Sequence, residues 1–274
     1  MKFKYLVITF NVIFVIFLLC VSLMPIFLVG PGFAVNFWKA AWPIGLILLL
    51  VLISLNGFFI ANYRLLRLME REDWPALAYY LEEKVFTKKR YNSKNIRLLA
   101  NSYLVMCDFP SISKLENNVT AARPVSIEKN LLVFGAAKIL NGDHKGAAIF
   151  LKKYLDKGKV REEQWVRWFY GFSQMLDGDF GKAESEFMSL AAASNDALIA
   201  GLASYFLATV LEKHSLKPEE CRSNSGNGSE RVRKTHKNIE AWKKEAENAG
   251  TEVHTAIIRK YIDEAGEWLF INQE

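Results

Sequence analysis

Two long apolar runs open the chain, and a series of shorter amphipathic runs follows them. Neither residues 5–29 nor residues 40–61 contain a charged side chain. About 20 apolar residues in a helix are enough to cross the roughly 30 Å hydrocarbon core of a bilayer. Gly30-Pro31-Gly32 interrupts the apolar sequence between the two runs. Because unpaired backbone polar groups are costly in lipid, residues 1–61 are predicted to form a transmembrane helical hairpin.

A secretory signal peptide is the competing interpretation of the first run, because Lys2 and Lys4 supply a basic start. The apolar stretch is longer than such a signal needs, and no small-x-small cleavage site closes it. Leu18-Leu19 before Cys20 also lacks the small residue that normally precedes a lipoprotein cysteine. We therefore expect the first run to be retained as an anchor.

After the hairpin, an aspartate stands directly before each of four new amphipathic runs. The four are Asp73, Asp108, Asp143 and Asp179, and they are 35, 35 and 36 residues apart. An Asp side chain accepts a hydrogen bond from an unpaired first-turn N–H, and Pro is tolerated in that turn because it lacks a donor there. The four aspartates therefore predict four equivalent helix starts, near residues 74, 109, 144 and 180. A period near 35 is typical of helical hairpins that stack into a solenoid.

Small and aromatic residues recur within the same period. The fourth unit has Gly171, Gly178, Phe180, Ala183 and Phe187, and the third has Gly135, Gly142 and Ala147 at equivalent positions. These offsets resemble the tetratricopeptide repeat, over roughly residues 58–193. The usual tryptophan of the first helix and the proline near the repeat end are missing, so another type of α-solenoid is the alternative. The resemblance implies a TPR-like stack whose first helices line a concave surface.

The patterns together predict an all-α chain: two N-terminal transmembrane helices, then a TPR-like α-solenoid with a C-terminal capping helix. Helical repeats are expected over residues 62–213. A flexible loop is expected over 214–229, because a Ser/Asn/Gly run from Ser223 to Ser229 is typical of loops. Residues 230–274 are expected to form C-terminal helices that cover the open end of the core, as solenoids require.

Basic residues beside the apolar runs predict the orientation. Lys2 and Lys4 precede the first run, only Lys39 lies between the two, and three arginines follow the second, namely Arg64, Arg67 and Arg71. Both termini and the repeats are therefore expected on the cytoplasmic side of a plasma or bacterial inner membrane. The three cysteines form no motif, which fits a reducing compartment.

The net charge of +6 falls once the hairpin is set aside, because three lysines and no acid precede residue 62. The remainder has 35 − 3 = 32 basic and 29 acidic residues, a net charge of +3. A whole-domain attraction to nucleic acid is not indicated.

Candidate partner-binding residues follow from the implied concave surface. In the fourth unit it would carry Trp165, Trp168 and Phe172, and large aromatic side chains are frequent binding anchors. Packing against a neighbouring helix is the alternative, and it is the commoner role of such a stripe. In the second unit Arg97 and Asn101 lie one turn apart. They resemble the pair with which some members of the family grip a peptide carboxylate, although a solvated polar face is the alternative.

The most concentrated basic segment includes Arg231, Arg233, Lys234 and Lys237. Such a segment can attract anionic lipid or contact nucleic-acid phosphates. No aromatic residues interleave for base stacking, and acids alternate with the later lysines, so an exposed helix face is the alternative.

Motifs for catalysis, metals or cofactors do not stand out. The four histidines occur singly, and no phosphate-binding glycine loop or nucleophile elbow is present. Asn11 and Asn56, one in each apolar run, are suited to hydrogen-bond across the hairpin or between copies. We therefore expect a non-enzymatic, cofactor-free scaffold that binds proteins or peptides at the membrane. The alternative is a peripheral anionic-lipid or nucleic-acid tether that uses residues 231–244.

Overall fold

The computed structural model describes residues 3–158, 160–249 and 256–271, and in those residues it contains helices and no β-strand. The predicted all-α class is confirmed. The chain divides into two compact units, Met1–Tyr80 and Leu81–Glu274.

In the first unit, α1 (Phe3–Val29) and α2 (Pro31–Glu70) are joined through Gly30 alone. The φ of Gly30 is +99°, a conformation that L side chains rarely adopt, and Pro31 follows at the first helical position. A glycine followed by a proline therefore makes this one-residue reversal possible. Both helices are long and apolar enough to cross a membrane.

Two asparagines connect α1 to α2 through a reciprocal pair of hydrogen bonds. Asn11 Nδ2 donates to Asn56 Oδ1 at 3.1 Å, and Asn56 Nδ2 donates to Asn11 Oδ1 at 2.8 Å. Each amide also donates to the backbone carbonyl four residues earlier in its own helix. The predicted bond across the hairpin is confirmed, and both amides are satisfied inside one copy of the chain.

The later helices are short and follow one another closely. After α3 (Trp74–Glu82) and a π-helical turn (Glu83–Thr87), the second unit continues with α4 (Ser93–Val105), α5 (Phe109–Ala122), α6 (Pro124–Glu128), α7 (Leu131–Leu140) and α8 (His144–Leu155). It then has α9 (Glu163–Leu176), α10 (Phe180–Ala193), α11 (Ala197–Thr209), a 3-10 turn (Leu211–Lys213), α12 (Pro218–Thr235), α13 (Ile239–Ala249) and α14 (Arg259–Phe270).

Each of the four aspartates sits in the same kind of turn between two helices. At Asp143, the preceding residue Gly142 has a φ of +76°, and the Asp143 backbone N–H donates to Lys138 O at 2.9 Å. This left-handed residue with a hydrogen bond five residues back is the usual helix ending by the Schellman motif. The positive φ and the same bond recur at the other three aspartates, Asp73, Asp108 and Asp179.

The aspartate side chains cap the helices that follow. Asp143 Oδ1 accepts from the Gly146 N–H at 2.9 Å, and the other three aspartates accept equivalent bonds at 3.2 Å. The helices α3, α5, α8 and α10 begin at the residue after each aspartate. The four helix starts therefore lie where the sequence predicted them.

Small residues allow close packing between the helices on either side of these turns. A Cβ atom at Gly135 would lie 2.8 Å from Leu151 Cδ2, and one at Gly171 would lie 3.1 Å from Phe187 Cε1. From α7 to α12 each helix packs on the next one along the chain, and α7 with α9, α9 with α11 and α10 with α12 also pack together.

The structure contradicts the flexible loop predicted over residues 214–229, because α12 begins at Pro218 and runs through the Ser/Asn/Gly run. The small side chains fit between two other helices: a Cβ atom at Gly228 would lie 2.2 Å from Ser204 Oγ and 3.1 Å from Ala191 Cβ. Ser225 Oγ also donates to the Ser204 carbonyl at 2.8 Å. A composition typical of loops is used here for close helix packing.

The C-terminal helices α13 and α14 pack on α11 and on each other. Trp242 of α13 is fully buried, and its Nε1 donates to Ile262 O at 3.0 Å. Its ring lies against Gly201 and Gly266, where added Cβ atoms would come within 2.5 and 2.6 Å of it. Of the predicted C-terminal region 230–274, residues 250–255 and 272–274 lie outside the described residues.

Candidate functional site

The residues predicted to bind a partner are divided by the structure into a polar group on α4 and a buried aromatic group on α9. Arg97, Asn101 and Val105 are spaced by four residues along α4, so they lie on one face of that helix. We call these three residues the α4 face. Arg97 and Asn101 are half-buried, and Val105 is 51% exposed.

A small cleft beside Arg97 brings several charged groups together. It has a volume of about 20 Å³, which is room for one water molecule. Its lining includes Arg97 together with Glu128, Lys129, Asn130, Arg161 and Glu162. Both acids are engaged by other cations, since Arg161 Nε lies 3.2 Å from Glu162 Oε1 and Lys157 Nζ lies 3.7 Å from Glu128 Oε1. The lining therefore has three cations and two acids, a net charge of +1, and Arg161 is itself paired with Glu162.

Asn130, which lines the cleft, has a structural role. It is 4% exposed, and its Nδ2 donates to Ser126 O at 2.7 Å and to Ser93 O at 3.3 Å. Ser126 Oγ in turn donates to Tyr91 O at 2.8 Å. These bonds tie α6 to the start of α4, so they hold the helix that carries Arg97.

The other side of α4 is fixed by a buried phenol. Tyr103 is 3% exposed, and its hydroxyl donates to Glu82 Oε1 at 2.6 Å. Burial, and next the hydrogen bond to Glu82, raises the pKa of Tyr103 well above its usual value. The phenol therefore stays neutral and keeps donating.

Asn101 has unused hydrogen-bonding capacity. Its Oδ1 atom is buried and has no hydrogen-bond partner in the part of the chain that the structure describes. A buried polar atom without a partner is costly. Because the atom is buried, a group from outside would reach it only after neighbouring side chains moved.

The structure places Trp168 and Phe172 in the core, so their predicted partner-binding role is wrong. Trp168 is 0% and Phe172 4% exposed, and their rings stack with centroids 5.0 Å apart. Phe187 of α10 and Phe206 of α11 cover Trp168, each with its ring centroid 6.0 Å away, and Tyr261 of α14 packs on Phe172 at 5.4 Å between centroids. Trp165 is half-buried and meets the Trp168 ring edge to face.

The basic segment on α12 is largely occupied with contacts inside the protein. Arg231 donates to the carbonyls of Ala192 and Ser194 at the end of α10. Arg233 donates to Ser229 Oγ at 2.8 Å, and Lys234 pairs with Glu230 at 2.8 Å. Lys237 is exposed. The structure therefore does not gather the four predicted residues into one free cationic patch.

One exposed apolar feature was missed from the sequence. The last residues of α4, α7 and α9 are Val105, Leu140 and Leu176, and they are 51%, 47% and 38% exposed. They are spaced by 35 and 36 residues, each three residues before its aspartate. We call these three side chains the apolar row. A comparison of the residues at the same offset from each aspartate could have revealed this row.

His144 begins α8, and its Nδ1 is buried without a hydrogen-bond partner in the described structure. Across the described residues, no three His, Cys, Asp or Glu side chains are grouped so that they could hold a metal ion.

Comparison with known proteins gives a family and one relative. A family model described as "Uncharacterised Treponema protein" matches residues 111–271. A protein from Treponema pallidum (strain Nichols), described as "Uncharacterized protein", is 30% identical over 280 residues, which covers 98% of this chain and 88% of the relative. No solved structure matches the chain.

Proposed function

The chain belongs to the family described as uncharacterised Treponema protein, and we propose that it is a membrane-anchored, TPR-like scaffold that binds a protein or peptide partner. The role is binding rather than catalysis. The observation that carries the proposal is the fourfold recurrence of one turn, in which an aspartate ends one helix and caps the next at a spacing of 35 or 36 residues.

The packing of the second unit supports a stack of helical pairs. Neighbouring helices from α7 to α12 pack together, and so do α7 with α9, α9 with α11 and α10 with α12. A solenoid has this pattern because each pair contacts only the pairs beside it. Such stacks use their extended surfaces to bind other molecules.

The first unit supports a membrane anchor. Its helices expose large apolar side chains, including Ile13 at 62%, Leu50 at 55% and Ile60 at 78%. Contact of these side chains with water would be unfavourable, whereas contact with the hydrocarbon of lipid would not. The basic residues flanking the hairpin favour a cytoplasmic location for both termini and for the helical pairs.

The binding surface that we propose comprises the α4 face and the apolar row. On α9 the residues at the positions of Arg97 and Asn101 are the buried Trp168 and Phe172. The three side chains of the apolar row stay exposed. A partner that has an acidic or carboxylate-ended segment beside an apolar one would match Arg97 together with this row.

The alternative, a lipid or nucleic-acid tether through residues 231–244, has less support. Arg231 is held by two backbone carbonyls, and Lys234 is paired with Glu230. A tether would lose binding steeply as salt rises, whereas a largely apolar surface would depend on salt weakly.

Photocrosslinking in intact cells tests the binding role. A photoreactive residue at Val105 is expected to capture a discrete partner, because this side chain is exposed beside Arg97 and Asn101. The same residue at Ile149 on α8, which is 63% exposed, is the matched control and is expected to capture much less.

The second arm adds Arg97→Ala to the Val105 probe. If Arg97 pairs with an acid of the partner, capture falls, by roughly tenfold for a charge-assisted contact worth about 1.5 kcal/mol. Equal capture at Val105 and Ile149, or no discrete adduct at either, would contradict the proposed surface.

A further inference from the structure

Lys39 is a charged residue of α2 for which the first unit supplies no acidic partner. No aspartate or glutamate precedes Glu70 in the sequence. Lys39 lies eight residues after Pro31, which is about 12 Å along a helix from the reversal at Gly30. With α1 spanning the membrane over Val7–Val29, this position lies inside the edge of the span.

A charge at such a depth is costly unless it is paired or reaches water. This unit has no acid before Glu70, so Lys39 either reaches water or pairs with an anion of another molecule. Lysines near the end of a span extend toward the headgroup layer, where lipid phosphates are the available anions.

An open groove between α1 and α2 lies beside this lysine. It is shallow, with a volume of about 480 Å³. Apart from Trp38 and Lys39 it is lined by the apolar residues Ile26, Pro31, Ala34 and Val35. The groove therefore combines one cation with an apolar wall, which are the two features that match a phospholipid.

Trp38 is held in place at the groove. Its Nε1 donates to Ser22 O on α1 at 3.2 Å, so the indole bridges the two helices. Ala34 is 4% exposed, which brings α2 close to α1 on the same side. Aromatic residues of this kind are enriched where a span meets the headgroup layer.

We propose that the groove between α1 and α2 binds an anionic phospholipid, whose phosphate pairs with Lys39 and whose apolar part lies against Ile26, Ala34 and Val35. The site rests on the membrane anchoring proposed above. It shares no residue with the basic segment that includes Arg231 or with the α4 face.

The test uses the full chain in vesicles of phosphatidylcholine and phosphatidylglycerol in equal amounts. A photoreactive residue at Val35, which lines the groove and is 56% exposed, reports the bound lipid by the mass of its adducts. We expect phosphatidylglycerol to be enriched about fivefold, as for one basic residue at an anionic surface. A probe at Ile47 of α2, which is 59% exposed, is the matched control and should capture both lipids in their bulk ratio.

Two substitutions examine the lysine itself. Lys39→Gln should return the Val35 adducts to the bulk ratio, and Lys39→Arg should keep the enrichment because it keeps the charge. Adducts in the bulk ratio at Val35 in the unchanged chain, or an enrichment that survives Lys39→Gln, would overturn the lipid site.

Flotation of the same vesicles separates this inference from the anchor on which it rests. Protein that floats with the vesicles but captures lipid in the bulk ratio retains the anchor and loses the lipid site. Protein that does not float overturns the anchor, and the lipid site with it.

Discussion

At the scale of single residues, each of the four turn aspartates uses its backbone and its side chain for different helices. The Asp143 N–H closes α7 on Lys138 O, while its carboxylate caps α8 through the Gly146 N–H. The residue before each aspartate has a left-handed backbone, and at two of the four turns it is not glycine, namely at Glu72 and Cys107. The same turn is therefore kept even where its backbone is strained.

Asp143→Ala is predicted to lower the free energy of unfolding by about 1 kcal/mol, the usual cost of losing an N-cap side chain. The backbone bond to Lys138 remains, so the fold is kept. Urea unfolding in detergent, followed by helical circular dichroism, measures the change. Asp156→Ala is the matched control: that aspartate is exposed and pairs with Lys152 at 2.9 Å, a contact worth well under 1 kcal/mol. Equal losses in the two variants would argue against the cap.

The caps were predictable from the sequence because their chemistry is local. An aspartate bonds an N–H three residues away, and proline in the next turn points to the same helix start. The burial of Trp168 and Phe172 was not predictable in this way. Phe206 of α11 packs on both rings, and Tyr261 of α14 packs on Phe172 as well. An aromatic stripe looks the same in the sequence whether or not other helices cover it.

At the scale of helices, α12 shows how packing overrides composition. Its Ser/Asn/Gly run has low helix propensity, yet the helix is continuous from Pro218 to Thr235. The absence of bulky side chains at Ser225 and Gly228 lets it lie against α10 and α11. Helix propensity is a weak predictor where tertiary contacts determine the conformation of a segment. For this reason the sequence predicted a loop.

Two glycines of α12 are predicted to respond to alanine in opposite directions. Gly228→Ala should destabilise by about 1–3 kcal/mol, because the added methyl group overpacks the contact with Ser204 and Ala191. Gly226→Ala meets nothing within 4 Å, so it should stabilise by up to about 1 kcal/mol through helix propensity. Thermal unfolding of the two variants in parallel checks the signs. Stabilisation by Gly228→Ala would show that α12 does not pack closely at this point.

At the scale of the whole molecule, the sequence predicted the helical hairpin and the period of the later helices. Both follow from patterns that repeat over short distances, namely apolar runs and capped helix starts. Which surface stays open was not predictable, because α13 and α14 cover α11 and Phe172 through contacts between distant parts of the chain. The sequence alone therefore could not show that the surface at α4 stays exposed.

The central claim is that equivalent helical pairs follow one another with the same geometry, and spin-label distances test it most directly. Lys114, Ile149 and Ser185 are exposed, and each lies six residues after its aspartate. With the native cysteines replaced, nitroxide pairs at 114/149 and 149/185 report two successive steps of the stack. We predict that the two distance distributions coincide within the spread of the label conformations. Two clearly different mean distances would contradict a regular stack and, with it, the scaffold proposed here.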